Sequence, residues 1–474
     1  MAEKSEREEL EKRLKLKPRP VWDLYDEPMK EEAFKFSEGY KAFLDRAKTE
    51  REAVEVIRER AETEGFVPLG KGGGRSRRFY AVNREKAVAL ATVGRRPLEE
   101  GLRIIVSHID SPRLDLKQNP LFEDLDMAFL RTHYYGGIKK YHWVAEPLAL
   151  HGVIVKADGT KLTIRIGEEE GEPVFTCCDL LPHLARKAQE EKKIKDAIEA
   201  EKLTALVGHI PYPDEEAKER VKLQILRLLH EKYGIVEEDF VSAELELVPA
   251  TKARDLGFDR SFVGAYGQDD RVCAYCSLEA ILQVQNPEYT IVALFLDKEE
   301  IGSEGNTGAK SRFVELLLVE IFRALGKEPS EAVLKEVLFR SKALSADVTA
   351  GVDPNYKDVH ELQNNARMGY GVALCKFTGA GGKYYSSDAS AEYVGEIREL
   401  LNREGVAWQM TELGKVDEGG GGTVAKYLAV YGMDIIDCGT PLLSMHSPFE
   451  VASKADIYET FRAYRAFYRW GKGE

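Results

Sequence analysis

Charged and apolar residues alternate at helical spacing through EEAFKFSEGYKAFLDRAKTEREAVEVIRERAETEG, which predicts two surface helices within residues 28–64, the second stopped by Gly65. A Gly- and Arg-rich turn at Gly70–Arg78 then precedes two short strands, RRFYAVNR and KAVALATVG. LRIIVSHID follows as a near-continuous apolar run, the pattern of a strand buried on both faces, with its polar residues gathered at the C-terminal end. From about Leu114 to Ala253 the period changes. PLALHGVIVKA, KLTIRIGE and AELELVPA alternate as antiparallel strands do, interrupted by helical stretches at AQEEKKIKDAIEAEKL and EEAKERVKLQILRLLHEKYG. After Asp255 strands and helices alternate: helix RVCAYCSLEAILQV, strand YTIVALFLDKEE, helix SRFVELLLVEIFRAL, strand KALSADVTA, helix SAEYVGEIRELLNREG, strand MDIIDCGTPLL and a last helix near KADIYETFRAYRAFYRW.

This order predicts an α/β fold with a mostly parallel central sheet sandwiched by helices, and an inserted β-rich domain. The expected division is 1–113 and 254–474 for the two parts of the α/β unit, with 114–253 as the insert. A chain of 474 residues, 43% of them hydrophobic, is large enough for roughly two to four compact units. The net charge of -13 argues against nucleic acid and polybasic membrane contact, both of which need clustered Lys and Arg. The first twenty residues lack the apolar core of a signal peptide, and no apolar run reaches the ~18 residues of a membrane span. Six cysteines in a chain of this length make no disulfide framework, so a reducing cytoplasm is the expected compartment.

Candidate chemistry collects where open α/β sheets place it, at the C-terminal ends of buried strands. His108 and Asp110 end LRIIV, and the two-residue period sends both side chains to one face. Asp269 and Asp270 lie in GQDDR at a turn opening a helix. Glu299 and Glu300 end IVALFLDK, Asp347 ends KALSAD, and His446 follows MDIIDCG within TPLLSMHSPFE. Two imidazoles and several carboxylates without thiolate suit zinc, cobalt or manganese in a hydrolytic site. A carboxylate bridging two ions, with another left free as a base, is the mark of two-metal hydrolases. The pair Glu299–Glu300 can supply ligand and base if the strand end twists.

Competing motifs are weaker. Cys273 and Cys276 form a single CxxC among apolar helix residues and read as core cysteines. GNTGAKS lacks the upstream glycine of a phosphate loop. Gly419–Gly422 reads as a row of backbone N–H groups at a helix N-terminus, with a plain flexible entry into that helix as the alternative. His133, His142, His151, His209, His230 and His360 read as surface or hydrogen-bonded residues. On residue chemistry alone, an aminopeptidase, a related deacylase or carboxypeptidase, and a non-enzymatic assembly protein remain open, although the complete ligand set disfavours the last.

The stretches SHIDSPRLDLK, GQDDR, ALFLDKEEIGSEGNTGAKS, LSADVTAGVDPNY and GTPLLSMHSPFE, in this order, resemble the aspartyl aminopeptidase and vacuolar aminopeptidase I family of dinuclear metallopeptidases. The resemblance implies two divalent ions, zinc first, with cobalt or manganese as alternatives, held by His108, Asp269, Glu300, Asp347 and His446. Asp269 would be the bridge, and Glu299 the general base acting on a metal-bridging hydroxide's parent water. Asp110 would orient His108. It implies peptide substrates with a free N-terminus, acidic or neutral in the first residue, and a large homo-oligomer, a dodecamer in the family. His183 in PHLA would reach into a neighbouring subunit's active site, which makes the insert an oligomerisation domain. Lys376 in LCKFTG and Tyr385 in KYYSSDAS resemble substrate-pocket positions. HYYGGIKKYHWVAEPLALHG departs from the family's Trp-Phe-Asp-Arg-Asp pattern, which bears on strict aspartate specificity.

Overall fold

The computed structural model describes residues 2–70 and 76–471, so most of the expected Gly70–Arg78 turn lies outside the described residues. A nine-stranded sheet forms the centre, in the order Val67–Pro68, Arg78–Asn83, Ala87–Thr92, Thr290–Leu296, Leu102–His108, Lys342–Ser345, Asp434–Gly439, Val372–Cys375 and Trp408–Thr411. The four strands from Thr290–Leu296 to Asp434–Gly439 run parallel. The sheet is nonetheless mixed. Arg78–Asn83 and Ala87–Thr92 form a hairpin, because Arg84 and Glu85 turn the chain at φ 53° and 58°. Ala87–Thr92 also runs antiparallel to Thr290–Leu296, and Val372–Cys375 antiparallel to Asp434–Gly439.

Leu102–His108 and Thr290–Leu296 are buried along their whole length. Successive residues face opposite sides: Ile105 joins one core cluster, Ile104 and Val106 the other. The first core is covered by Glu27–Arg46, Glu50–Thr63, Gln268–Gln283, Ala391–Arg403 and Lys454–Arg469, and the second by Phe313–Ala324 and Glu331–Arg340. Local chemistry sets the ends of the first two long helices. Asp26 accepts from the Met29 N–H at 3.0 Å. Thr49 and Glu52 form a reciprocal capping box.

Seven antiparallel strands between Arg113 and Pro249 build a second sheet with its own core, in the order Lys161–Ile166, Leu148–Val155, Ala243–Pro249, Arg113–Asp124, Met127–Tyr135, Thr204–Gly208, Thr176–Cys177. Arg220–Tyr233 packs on it and ends at Gly234 in the left-handed conformation. AQEEKKIKDAIEAEKL is not a continuous helix. It breaks into short turns at Arg186–Glu190, Ile194–Ala197 and Ala200–Lys202, because its exposed charged residues offer no apolar stripe to dock. A third sheet of five short strands, Arg254–Leu256, Phe262–Ala265, Glu450–Ser453, Pro441–Leu443 and Thr349–Ala350, carries the loop of His446. No described helix is long and apolar enough to cross a membrane.

Candidate active site

His108 ends its strand paired with Leu296, and the register of the next strand places Ser345 beside Val106, so Asp347 follows immediately past the sheet edge. Asp269 opens the helix Gln268–Gln283 behind Gly267, whose φ is 72° and whose Cα faces the Arg271 guanidinium so closely that a Cβ would overlap it. The Asp269–Asp270 peptide is cis. Glu299 and Glu300 are aimed by a tight helical turn that follows Lys298 at φ 68°, rather than by twist of the strand. Ser444 and His446 also adopt positive φ, in the loop between two strands of the third sheet.

Sequence-distant residues converge here. The Asp269 carboxylate divides its oxygens between two imidazoles: Oδ1 lies 3.2 Å from His108 Nε2 and Oδ2 lies 3.2 Å from His446 Nε2. Asp347 Oδ1 is 4.0 Å from His108 Nε2, and Glu300 Oε2 is 3.3 Å from His446 Nε2. Asp110 meets His108 Nδ1 through its main-chain oxygen at 3.0 Å and Oδ1 at 3.3 Å. Its carboxylate also accepts the N–H groups of Glu299 and Glu300 at 3.1 and 3.2 Å. Glu450 accepts from the N–H groups of Asp269 and His446 at 3.0 and 2.7 Å. A cavity of about 400 Å³ opens onto Asp269, Glu299, Glu300, Asp347 and His446, with Gly420–Gly422, Thr423 and Lys426 on its wall.

Carboxylates outnumber the charge available to them. Burial, reinforced by Asp269, pushes the Glu300 carboxyl well above its usual range; burial and Glu299 do the same to Asp347. Burial also lifts Glu299 to about 7 and Glu450 to about 8. Burial opposes protonation of His108 and His446, yet the carboxylates around them outweigh it, and His446 rises to about 10. Donor atoms of His108, Asp269 and Glu300 lie within 4.8 Å of one another, as do those of His108, Asp270 and Asp347. Glu300 Oε1 and Asp270 Oδ1 are buried with no hydrogen-bond partner among the described residues. This all-N/O donor set, with its surplus buried negative charge, fits divalent cations.

His183 is exposed in the short helix Pro182–Ala185 of the second sheet's region. Lys376 Nζ lies 3.8 Å from Asp388 Oδ1, and Tyr385 is 86% exposed. None of the three lines the cavity, although Thr378, two residues beyond Lys376, does. Cys273 and Cys276 are buried core thiols. His151 is buried against Glu52 and Glu168. Reasoning from the sequence missed Glu450, Tyr135 and Lys426 and gave Asp270 no role. For Glu450, its place four residues beyond His446 was the available signal. The others had none, because their positions depend on the third dimension.

Fold and site together define an α/β protein with a hydrolase-type centre for divalent metal. The sequence matches the family described as Aminopeptidase I zinc metalloprotease (M18) over residues 43–468, and the chain belongs to that family. It is 52% identical over 455 residues to a probable M18 family aminopeptidase 1 of Thermotoga maritima, covering 96% of this chain and 99% of that one. The crystal structure of an M18 aminopeptidase from Thermotoga maritima superposes with a TM-score of 0.92 at 52% identity, over 96% of this chain and 99% of that one. The S. cerevesiae mApe1 dodecamer shares the fold, with a TM-score of 0.74 at 21% identity over 91% of this chain and 96% of that one. The chain is thus an M18 zinc metalloaminopeptidase, a hydrolase acting on peptide bonds.

Proposed function

We propose that this enzyme removes single N-terminal residues, acidic or neutral, from peptides, using two metal ions that share Asp269. The observation that carries this reading is the division of the two Asp269 oxygens between His108 Nε2 and His446 Nε2, each at 3.2 Å. His108 and Asp347 would complete one site, and His446 and Glu300 the other. Bound there, two divalent ions, zinc by family, supply Lewis acidity that acidifies water and polarises a carbonyl.

The chain's own residues do the rest. Glu299 lies on the cavity wall outside the five ligands and takes the proton of the attacking water, then gives it to the leaving amine. Burial raises its carboxyl, and bound cations would draw it lower again, leaving it the carboxylate that accepts a proton. Asp110 fixes the Glu299–Glu300 turn through both N–H groups and orients His108. The metal centre would take a free α-amine, a group that an internal peptide bond does not offer, and this would limit cleavage to the N-terminal residue.

For specificity, Lys376 and Tyr385 would meet the first side chain from the rim, while Lys426 offers a cation on the cavity wall itself. Residues 114–253 would form an oligomerisation domain that carries His183 into a neighbouring subunit's site. The dodecameric state of the mApe1 relative supports a closed homo-oligomer of that kind. A cytoplasmic setting suits six free cysteines, five of them buried and Cys178 exposed.

A panel of Asp, Glu, Leu, Lys and Met p-nitroanilides, with and without N-acetylation, tests the reading alongside metal analysis. Two equivalents of zinc and cleavage restricted to free amines are expected. Equal rates on acetylated substrates would overturn the amine-anchored mechanism. Loss of acidic preference in Lys376→Ala or Lys426→Ala identifies which cation sets it.

A further inference from the structure

The strand Met127–Tyr135 of the second sheet ends against the active site, and its last residue and the two glycines after it touch both halves of the site. The Tyr135 hydroxyl donates to Asp110 Oδ2 at 2.8 Å, and Asp110 Oδ1 lies 3.3 Å from His108 Nδ1. Two residues further, the Gly137 carbonyl lies 3.0 Å from His446 Nδ1. In that contact Nδ1–H donates to the carbonyl, which in the neutral ring leaves the Nε2 lone pair, on the side of Asp269 and Glu300, available to a metal ion.

We infer that Tyr135–Gly137 is a positioning segment that orients both imidazoles, so that the inserted sheet is a working part of the metal site as well as an appendage to it. This rests on the two-metal reading above.

Three further features hold the segment in place. Arg113 lies 3.9 Å over the Tyr135 ring. Its guanidinium is buried and ion-paired with Asp115 at 2.8 Å, Glu246 at 3.2 Å and Glu50 at 3.5 Å. Glu50 belongs to a helix of the α/β unit, so the Arg113 that covers the ring is itself anchored to both units. Gly136 has φ 73°, and a Cβ there would lie 3.3 Å from Glu300 Cβ and Pro112 Cγ; a Cβ on Gly137 would lie 3.3 Å from His446 Nδ1. A side chain at Gly136 would be strained by its φ, and one at Gly137 would press on His446, so both positions favour glycine.

The test uses the full-length zinc enzyme. Zinc content is measured by mass spectrometry, and zinc release by a colorimetric chelator; kcat and KM are measured in parallel. Tyr135→Phe removes one hydroxyl and keeps the ring under Arg113, so the fold persists, which circular dichroism checks. The expected result is zinc loss accelerated by roughly 10–100-fold, with kcat reduced and KM within about twofold. Combined with Asp110→Asn, the hydroxyl loss should add nothing further, because the two act as one unit. Gly136→Ala should loosen zinc as well, since its methyl strains the turn that carries the Gly137 carbonyl and presses on Glu300. His108→Ala and His446→Ala serve as controls. If these controls lose zinc while Tyr135→Phe and Gly136→Ala retain it at the wild-type rate, the positioning role is overturned and the metal reading stands. If the controls also keep two zinc ions, the metal reading falls and takes this inference with it.

Discussion

Glu299 and Glu300 are neighbours in sequence with unlike surroundings. Glu300 Oε2 lies against His446 Nε2 at 3.3 Å, while Glu299 stands on the cavity wall without an imidazole partner among the described contacts. Glu299→Gln should therefore lower kcat by roughly 10²–10⁴-fold, the usual worth of a general base, with zinc content unchanged. Normal turnover in that variant would remove Glu299 from the mechanism. Glu450 has a different task. Buried at 1% exposure, it satisfies the N–H groups of Asp269 and His446. Glu450→Ala should cost about 1–3 kcal/mol by leaving the buried Asp269 N–H and the part-buried His446 N–H without their acceptor, read by denaturant melts, and should weaken zinc retention.

Strand ends were legible from the sequence because burial on both faces writes a continuous apolar run that stops where the polar site begins. LRIIV, IVALFL and KALSA each follow that pattern, and His108, Asp347 and the two glutamates sit just past them. Less legible were the elements whose direction depends on a turn. Nothing in RRFYAVNR or KAVALATVG states that two positive-φ residues fold them into an antiparallel hairpin beside parallel strands. The third sheet was missed because strands of two to four residues carry no period. The reach of Tyr135 and Gly137 into the site was hidden for another reason: an alternating strand announces its own faces, not what stands at its end. Charge alone also misled at AQEEKKIKDAIEAEKL, where helix-forming residues without an apolar stripe gave only short turns.

At the scale of the molecule, an ionic brace joins the two units. Lys48 pairs with Glu168 at 2.7 Å, and Glu168 also lies 3.5 Å from His151, whose other nitrogen meets Glu52 at 2.8 Å. Burial raises the Glu168 carboxyl, but His151 and Lys48 outweigh it and hold it at about 2. The gap from ~4.3 for a free glutamate corresponds to about 3 kcal/mol at most. A depressed carboxylate stabilises above its unfolded pKa, so this contribution should be lost as pH falls from about 4.5 towards 2. Burial disfavours His151 protonation, yet Glu168 and Glu52 raise its pKa, so its share is complete below ~6.5 and is lost as pH rises through the raised value. The brace's own contribution should therefore be greatest between about pH 4.5 and 6.5, and Glu168→Gln should flatten the acid limb of the denaturant midpoint measured against pH. Chelation acts on the same scale. Stripping the metals leaves the carboxylate cluster uncompensated, and the melting temperature should fall and then recover with added zinc in a concentration-dependent way.

The contact between His446 and Gly137 joins residues 309 apart in the chain. A site closed by so distant a pairing stays open through the early stages of folding, because loop closure must precede it. A half-made chain, whether still being synthesised or newly unfolded, therefore has no competent centre with which to trim its own exposed termini or those of other nascent proteins. In refolding experiments, secondary structure should return before peptidase activity, and the interval between the two is the time during which the enzyme is harmless to its surroundings.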